Sequence, residues 1–569
     1  MNMKRIFFIA ALALAFSSCS DRIYEEINTD YTKADAIEPS MQLSYAALQL
    51  FGDMNYVDVY RLYTYAFTQH LMGCWNTTNY GGQHRMDDQE MGRPWNNLYP
   101  GAIRNLTDGI YRTDSMAEQA NINAAMRILR VYVGGLLTDF YGDIPYTEAG
   151  QAYINGNSKP KYDEQKDLYP LFIRELKQAV KQFNVKAEAI NSDPIFQGDI
   201  EKWKTFANSL RLRYAMRMSD VRTDSAAIWF NEALSDGVMS NTEDNACVEH
   251  LKVRYSFGQE SYKDFRGNAL SKYFYGNDPA NNPTYICSTL WNQLYENNDP
   301  RTLRLCRFYI DDFITISTGE GRIDMTDSVM AMQYANPTEK IAQPSAPGDF
   351  SWDAWPAYPD VKGSPIANAI AEVLKLHPDY NPAKNPRWLR PKLAENFLRS
   401  ENPGMLMTYA EVCFLCAEAA VKGWTLTTPV NPKAEYESGI RAAMDIYSDY
   451  YDCARITDSE YATYIAQPAI AWGASMTQQL NQINTQAWIL HFHNPAEAWA
   501  NVRRADIPKL ADPTPAANPL IDGAKIPVRL CYPLKEETYN IDEYKAAINR
   551  VTATGVAYDW HAPLWWDVK

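Results

Sequence analysis

Two segments carry aromatic rings next to hydrogen-bonding side chains in stretches that have no core-like periodicity. The first, Gly73–Arg93, holds Trp75, Asn76, Asn79, Tyr80, Gln83 and Arg85. The second, 349–360, holds Asp349, Trp352, Asp353, Trp355 and Tyr358. Such groups do no covalent chemistry, but they suit recognition. A sugar ring has apolar C–H faces that lie on Trp and Tyr, and a rim of hydroxyls that needs Asn, Asp, Gln or Arg. Loops on a rigid scaffold are the usual place for such a constellation. The plainer alternative is that the rings pin long loops onto the core.

Covalent chemistry finds little support. The chain has no His-Glu-x-x-His, no Gly-x-Ser-x-Gly, no phosphate-cradling Gly-x-x-x-x-Gly-Lys and no dinucleotide Gly-x-Gly-x-x-Gly. There are only seven histidines, and His491 and His493 are spaced i, i+2, which does not place them on one helical face as a metal pair. Acidic residues are plentiful enough to hold a glycosidase pair of carboxylates, yet on a chain of net charge −15 most carboxylates serve solvation. No metal and no cofactor are expected. The negative charge also argues against nucleic acid as a partner, since phosphate binding needs basic surface.

The amino terminus speaks to location. Lys4 and Arg5 precede an apolar run, Ile6 to Phe16, and then Ser17-Ser18-Cys19. The run is too short to span a bilayer, which takes about 20 apolar residues, and has the layout of a secretory signal. The junction resembles a bacterial lipobox. Cys19 would then be acylated and become the first residue of the mature chain, anchored by its acyl chains without a membrane helix. Loss of residues 1–18 removes Lys4 and Arg5 and leaves a charge of −17. Residues 19–30 form a polar tether whose Ser20–Glu26 stretch resembles the acidic export signal of Bacteroidetes surface lipoproteins.

The elements that would position the two loops are mostly helices. Apolar residues at helical spacing predict helices over Met41–Phe51, Val57–His70, Pro94–Ile110, Asn121–Tyr141, Leu168–Phe183 and Trp203–Met218. Gly142 reads as a helix stop, with Pro145 preventing restart. Further helices are predicted over Met405–Trp424, Lys433–Tyr450 and Gln479–His493. Between them, 240–400 turns rich in Asn, Asp, Pro, Gly and Tyr, with a strand expected at Phe308–Ser317. Paired helices of this length, each with one apolar face, match degenerate tetratricopeptide repeats, which bury those faces by stacking. Of the nine cysteines, Cys413 and Cys416 form a lone CxxC in a helical segment, read as small core residues. Trp95, Trp203, Trp499 and Trp565 are assigned to the core.

An ordered set of short motifs adds a family. It begins with Trp95-x-x-x-Tyr99, Leu137-Thr138-Asp139-Phe140-Tyr141-Gly142-Asp143-Ile144-Pro145-Tyr146 and the run from Trp203 to Arg213. It continues with Tyr409-Ala410-Glu411-Val412, Ala417-Glu418-Ala419, and Glu497-Ala498-Trp499 with Arg503-Arg504. It closes with Ile526-Pro527-Val528-Arg529, Tyr532-Pro533 and Leu564-Trp565-Trp566-Asp567. In this order, behind a lipobox, they resemble the SusD/RagB family of nutrient-binding outer-membrane lipoproteins, in its SusD-like branch. The resemblance implies a single, mostly α domain over 31–569. About four tetratricopeptide-like helix pairs form its scaffold, mainly 31–230 and 400–510. A loop-rich variable part with a few short strands fills about 240–400. It also implies a lid on a SusC-like, TonB-dependent transporter barrel, and capture of oligosaccharides without chemistry on them. A peptide-binding lipoprotein on the same scaffold is the alternative, and a glycoside hydrolase a more distant one.

Overall fold

A computed structural model describes residues 37–73, 78–82, 84–253, 264–271, 284–311, 313, 321–335, 363–381, 389–510 and 525–568. Its first half is built from helices that stack in chain order. Pro39–Gly52 (α1) and Arg104–Thr113 (α2) pack together and against Ala120–Tyr141 (α3). Gln165–Gln182 (α4), Ile200–Arg217 (α5) and Thr223–Ser235 (α6) follow, each on its predecessor, with α4 also lying on α3. The second half repeats the scheme after Ser288–Tyr295 (α7). Tyr409–Val421 (α8) packs on Pro432–Tyr451 (α9) and on Met476–Leu490 (α10), and α10 packs on Pro495–Ala505 (α11). Contacts α5–α8 and α3–α11 join the halves. The pairs α2/α3, α4/α5, α8/α9 and α10/α11 form the expected mostly α, tetratricopeptide-like scaffold. No helix among the described residues is long and apolar enough to cross a membrane.

Local rules explain the ends of these helices. Gly142 sits at φ 89° directly after α3 and donates its N–H to the Thr138 carbonyl at 2.9 Å, so the stop works through a backbone that favours glycine. Asn431 caps α9 through Lys433 and Ala434, and Ser475 forms a capping box with Gln478 on α10.

Strands are few and short. Among the described residues they form five two-stranded antiparallel pairs. Leu71–Gly73 (β1) pairs with Thr284–Ile286 (β3), and Ala246–Val248 (β2) with Gly404–Met407 (β4). Most buried apolar side chains from Leu43 to Trp566 belong to one contiguous core cluster, and Ala66, Met72, Tyr285 and Cys287 form a small separate one.

Several boundaries differ from the sequence expectation. The helix predicted from Met405 begins at Tyr409, because Gly404–Met407 is paired into a strand and Thr408 caps the helix by accepting from the Glu411 N–H. Val57–His70 is interrupted by a π-helical turn at Tyr60–Thr64 and ends at Phe67, before β1. Pro94–Ile110 contains a similar turn at Tyr99–Ile103, where Pro100 lacks the N–H that a continuous helix would use. Of the strand expected at Phe308–Ser317, Tyr309–Ile310 pairs with Ile323–Asp324, while 312 and 314–317 lie outside the described residues. Trp95, Trp203 and Trp499 are core as expected, but Trp565 is half-buried and its neighbour Trp566 fills the core position. Cys413 and Cys416 are both buried.

Candidate functional site

The first candidate loop leaves the scaffold from a rigid root. Leu71 pairs with Ile286, Met72 with Tyr285 and Gly73 with Thr284, and the Cys287 N–H donates to the His70 carbonyl at 3.0 Å. His70 stacks on Trp488 of α10, ring centroids 4.7 Å apart, and donates Nε2–H to the Trp488 carbonyl at 3.0 Å. The Trp488 indole N–H returns a bond to the Thr68 carbonyl at 2.9 Å. Burial pushes the His70 imidazole down to about 3, so the ring is neutral and holds one tautomer at physiological pH. A segment from the N-terminal half is thereby clamped onto a helix more than four hundred residues later in the chain, as the 420-residue separation of Thr68 and Trp488 shows.

The loop itself re-enters the core at a π-helical turn, Thr78–Gly82, and Gly81 is needed there. A Cβ at that position would meet the Leu62 carbonyl oxygen at 2.5 Å and the Ala66 Cβ at 2.7 Å. His84 is buried, edge-on to Phe67 at 5.8 Å and Trp560 at 6.1 Å. On either side of these two anchors the chain presents Tyr80 and Arg85. Tyr80 is half-buried, its ring edge-on to Tyr63 at 6.1 Å, and Arg85 is exposed with its guanidinium 5.4 Å from the Tyr80 ring centre. The Arg85 N–H donates to the Tyr80 carbonyl at 2.8 Å, and the Tyr63 hydroxyl donates to the Arg85 carbonyl at 3.1 Å. Burial raises the Tyr80 phenol above its ordinary range, and the Asp87 and Glu90 charges add to it. It therefore stays a neutral hydrogen-bond donor.

Two of the expected site residues, Tyr80 and Arg85, thus stand side by side as an aromatic ring and a planar cation on a fixed turn. Tyr80 is partly a loop pin, because one edge is spent on Tyr63. Asn79 lies in the Thr78–Gly82 turn. Trp75, Asn76 and Gln83, and all of Asp349, Trp352, Asp353, Trp355 and Tyr358, lie outside the described residues or their described side chains, as does Cys19.

The signature motifs meet elsewhere, in a buried ionic network. Arg213 of α5 grips Glu411 of α8 with two bonds, 2.6 and 2.8 Å, and lies 3.5 Å from Glu497 of α11. Arg217 binds both oxygens of Glu497 at 2.7 and 2.8 Å and reaches Asp139 of α3 at 3.3 Å. Arg504 forks onto Glu418 with two bonds of 2.7 Å. Arg503 lies 3.9 Å over the Trp499 ring and donates to the carbonyls of Asp139 and Val528. Trp566 closes the network, with its indole N–H on the Tyr169 hydroxyl at 2.8 Å. Sequence reading placed His491 outside any metal pair with His493. In the fold it groups instead with Glu411 and Glu497, donor atoms all within 4.8 Å of one another. Those carboxylates already accept from Arg213 and Arg217, so the group functions as part of the ionic network. These motif residues tie α3, α5, α8 and α11 together.

A family model described as SusD-like, starch-binding and associating with outer membrane matches residues 32–355 and 369–533. The chain belongs to the SusD-like family. A solved Bacteroidetes SusD-like protein is 66% identical over 94% of this chain and 100% of its own, with a TM-score of 0.89. A solved chitin-binding protein is 29% identical over 94% of this chain and 100% of its own, TM-score 0.73. A SusD homologue from Bacteroides uniformis, at 21% identity, 94% and 100% coverage and TM-score 0.69, shares the fold. No curated protein matches the chain. Of the motif residues, Asp139, Arg213, Glu411, Glu418, Glu497, Arg503, Arg504 and Trp566 meet in the buried network and serve the scaffold.

Proposed function

We propose that this SusD-like protein captures oligosaccharides at the cell surface and delivers them to a TonB-dependent, SusC-like barrel, without chemistry on the ligand. In this reading residues 1–18 are removed, Cys19 is acylated, 19–30 is the tether and 31–569 is the binding domain. The anchor faces the exterior of the outer membrane. The observation that carries it is the pairing of Tyr80 and Arg85 on a turn fixed by Gly81 and His84, rooted on Trp488, in a family described as starch-binding. A ring face and a guanidinium suit a sugar's C–H face and its hydroxyls. The relative named a chitin-binding protein supports a polysaccharide-derived ligand.

A glycan array run against a peptide pool tests this reading. Retention on one glycan class, with peptides unretained and no new reducing ends after incubation, is the expected result. Selective retention of peptides would replace it with a peptide-capture role. Turnover abolished by a single carboxylate substitution would make the protein a hydrolase.

A further inference from the structure

A cleft of about 300 Å³ is lined by residues of α7, of α10 and of the 468–473 segment that precedes α10. That volume is at the lower end of small-molecule sites. Gln293 and Asn297 form one wall, and Asn481, Gln482 and Thr485 of α10 another, with Tyr436 at the base. On α10 the spacing 478, 481, 482, 485 puts a row of uncharged polar groups on one helical face. None of the residues lining the cleft is ionisable as a carboxylate or cation, although 22% of the chain is charged.

The rim is built in advance. Gln482 donates Nε2–H to the carbonyls of Ala469 (3.2 Å) and Ala471 (2.7 Å) and accepts from the Gly473 N–H at 2.9 Å. A Cβ at Gly473 would meet the Gln478 Cβ at 2.6 Å, so this wall needs glycine to approach the helix. The Tyr436 hydroxyl bonds the Ile470 carbonyl at 2.9 Å, and its ring lies 5.2 Å from Trp472. Asn297, which also lines the cleft, donates from its amide to the Gln293 backbone carbonyl at 2.8 Å. Among the described residues, the side chains of Gln293, Asn481 and Thr485 have no protein hydrogen-bond partner.

We infer that this cleft is a second binding site, for an uncharged saccharide unit one or two sugars long. Unspent amides and a hydroxyl supply both donors and acceptors, which a rim of neutral hydroxyls or an acetamido group can match. An anionic or cationic ligand would find no counter-charge there, and an apolar one would strand the amides. The inference rests on the glycan-capture reading but concerns a site separate from the Tyr80 loop.

The test titrates the full-length protein in detergent with maltose, N,N′-diacetylchitobiose and glucuronate, reading heat and tryptophan fluorescence, because Trp472 adjoins the cleft. At least a tenfold loss of disaccharide affinity is expected in the Gln293→Leu/Asn481→Leu variant, with the loss absent in Tyr80→Ala. Glucuronate is expected to bind at least tenfold more weakly than either neutral sugar. Should the double variant fail to fold, Ala469→Trp fills the cleft from an exposed position and decides the matter in the same way. Disaccharide binding unchanged in a folded cleft variant would overturn the inference, and leaves the loop reading standing if Tyr80→Ala weakens oligosaccharides. Absence of any response to the three sugars overturns the inference, while the loop reading is decided by the glycan array.

Discussion

Arg213 and Glu411 face each other across 198 residues of chain, with two of the guanidinium nitrogens on the two carboxylate oxygens at 2.6 and 2.8 Å. Both side chains are buried, at 5% and 4% exposure, so the pair is shielded from solvent screening. It couples the two helical halves at the α5–α8 contact. Removing one partner leaves the other charged and buried. Glu411→Ala is expected to cost about 3–5 kcal/mol. A double change of Arg213 and Glu411 to Met should recover part of that loss, since apolar replacement of a buried pair is often near neutral. Urea unfolding of the three variants checks this. A single variant as stable as the parent would show that the pair contributes nothing.

Acid should weaken the fold in two stages. In the folded chain burial pushes His70 and His493 down to about 3, below their ordinary value of 6.5. The unfolded chain therefore binds more protons between those values. This contribution is complete above about pH 6.5 and is lost as pH falls, by up to about 1.4 kcal/mol per pH unit for each histidine. Glu497 adds a later stage. Burial raises its pKa, but Arg217 and Arg213 outweigh burial and hold it at about 2, so its contribution is present above about pH 4.5 and fades below that. Urea midpoints should hold from pH 7.5 to about 6.5 and fall from there to pH 3.5. His70→Asn should flatten the upper part of the curve, and an unchanged slope there would refute the assignment.

The loop residues separate binding from folding. Arg85 is exposed, so Arg85→Ala should leave the thermal melt unchanged and weaken glycan binding. Tyr80→Ala should weaken binding by about 1–3 kcal/mol, the scale for removing buried apolar surface, and also lower the melt slightly through the lost Tyr63 contact. Trp75→Ala and Trp352→Ala carry the same expectation for binding. Calorimetric titration beside thermal melting reads both properties. A lowered melt with intact binding among folded molecules would make these residues loop pins.

Anchoring should depend on one atom, the Cys19 sulfur. Cys19→Ala is expected to leave an unprocessed or mislocalised chain that no longer partitions with the outer membrane. Mass spectrometry and membrane fractionation measure this. Normal fractionation, with no change in acylation, would remove the lipobox from the account.

The sequence by itself determined the family, the mostly helical scaffold and some helix ends, such as the stop at Gly142. Each depends on local information: 3.6-residue periodicity, Gly142 after an apolar run, and motif spacing along one chain. It did not reveal why the motifs exist. Asp139, Arg213, Glu411 and Glu497 are scattered over more than three hundred and fifty residues and read separately as ordinary surface charges, since charged residues are mostly exposed. Only tertiary packing brings them into one dry interior, where each charge is tolerable because the others are present. The same holds for the strand at Gly404–Met407. Its apolar residues fit a helix locally, and only the distant Ala246–Val248 strand decides otherwise. The amide cleft was least legible of all. Gln293 and Asn481 are ordinary polar residues along the chain, 188 positions apart, and only packing brings α7 and α10 to line one cleft.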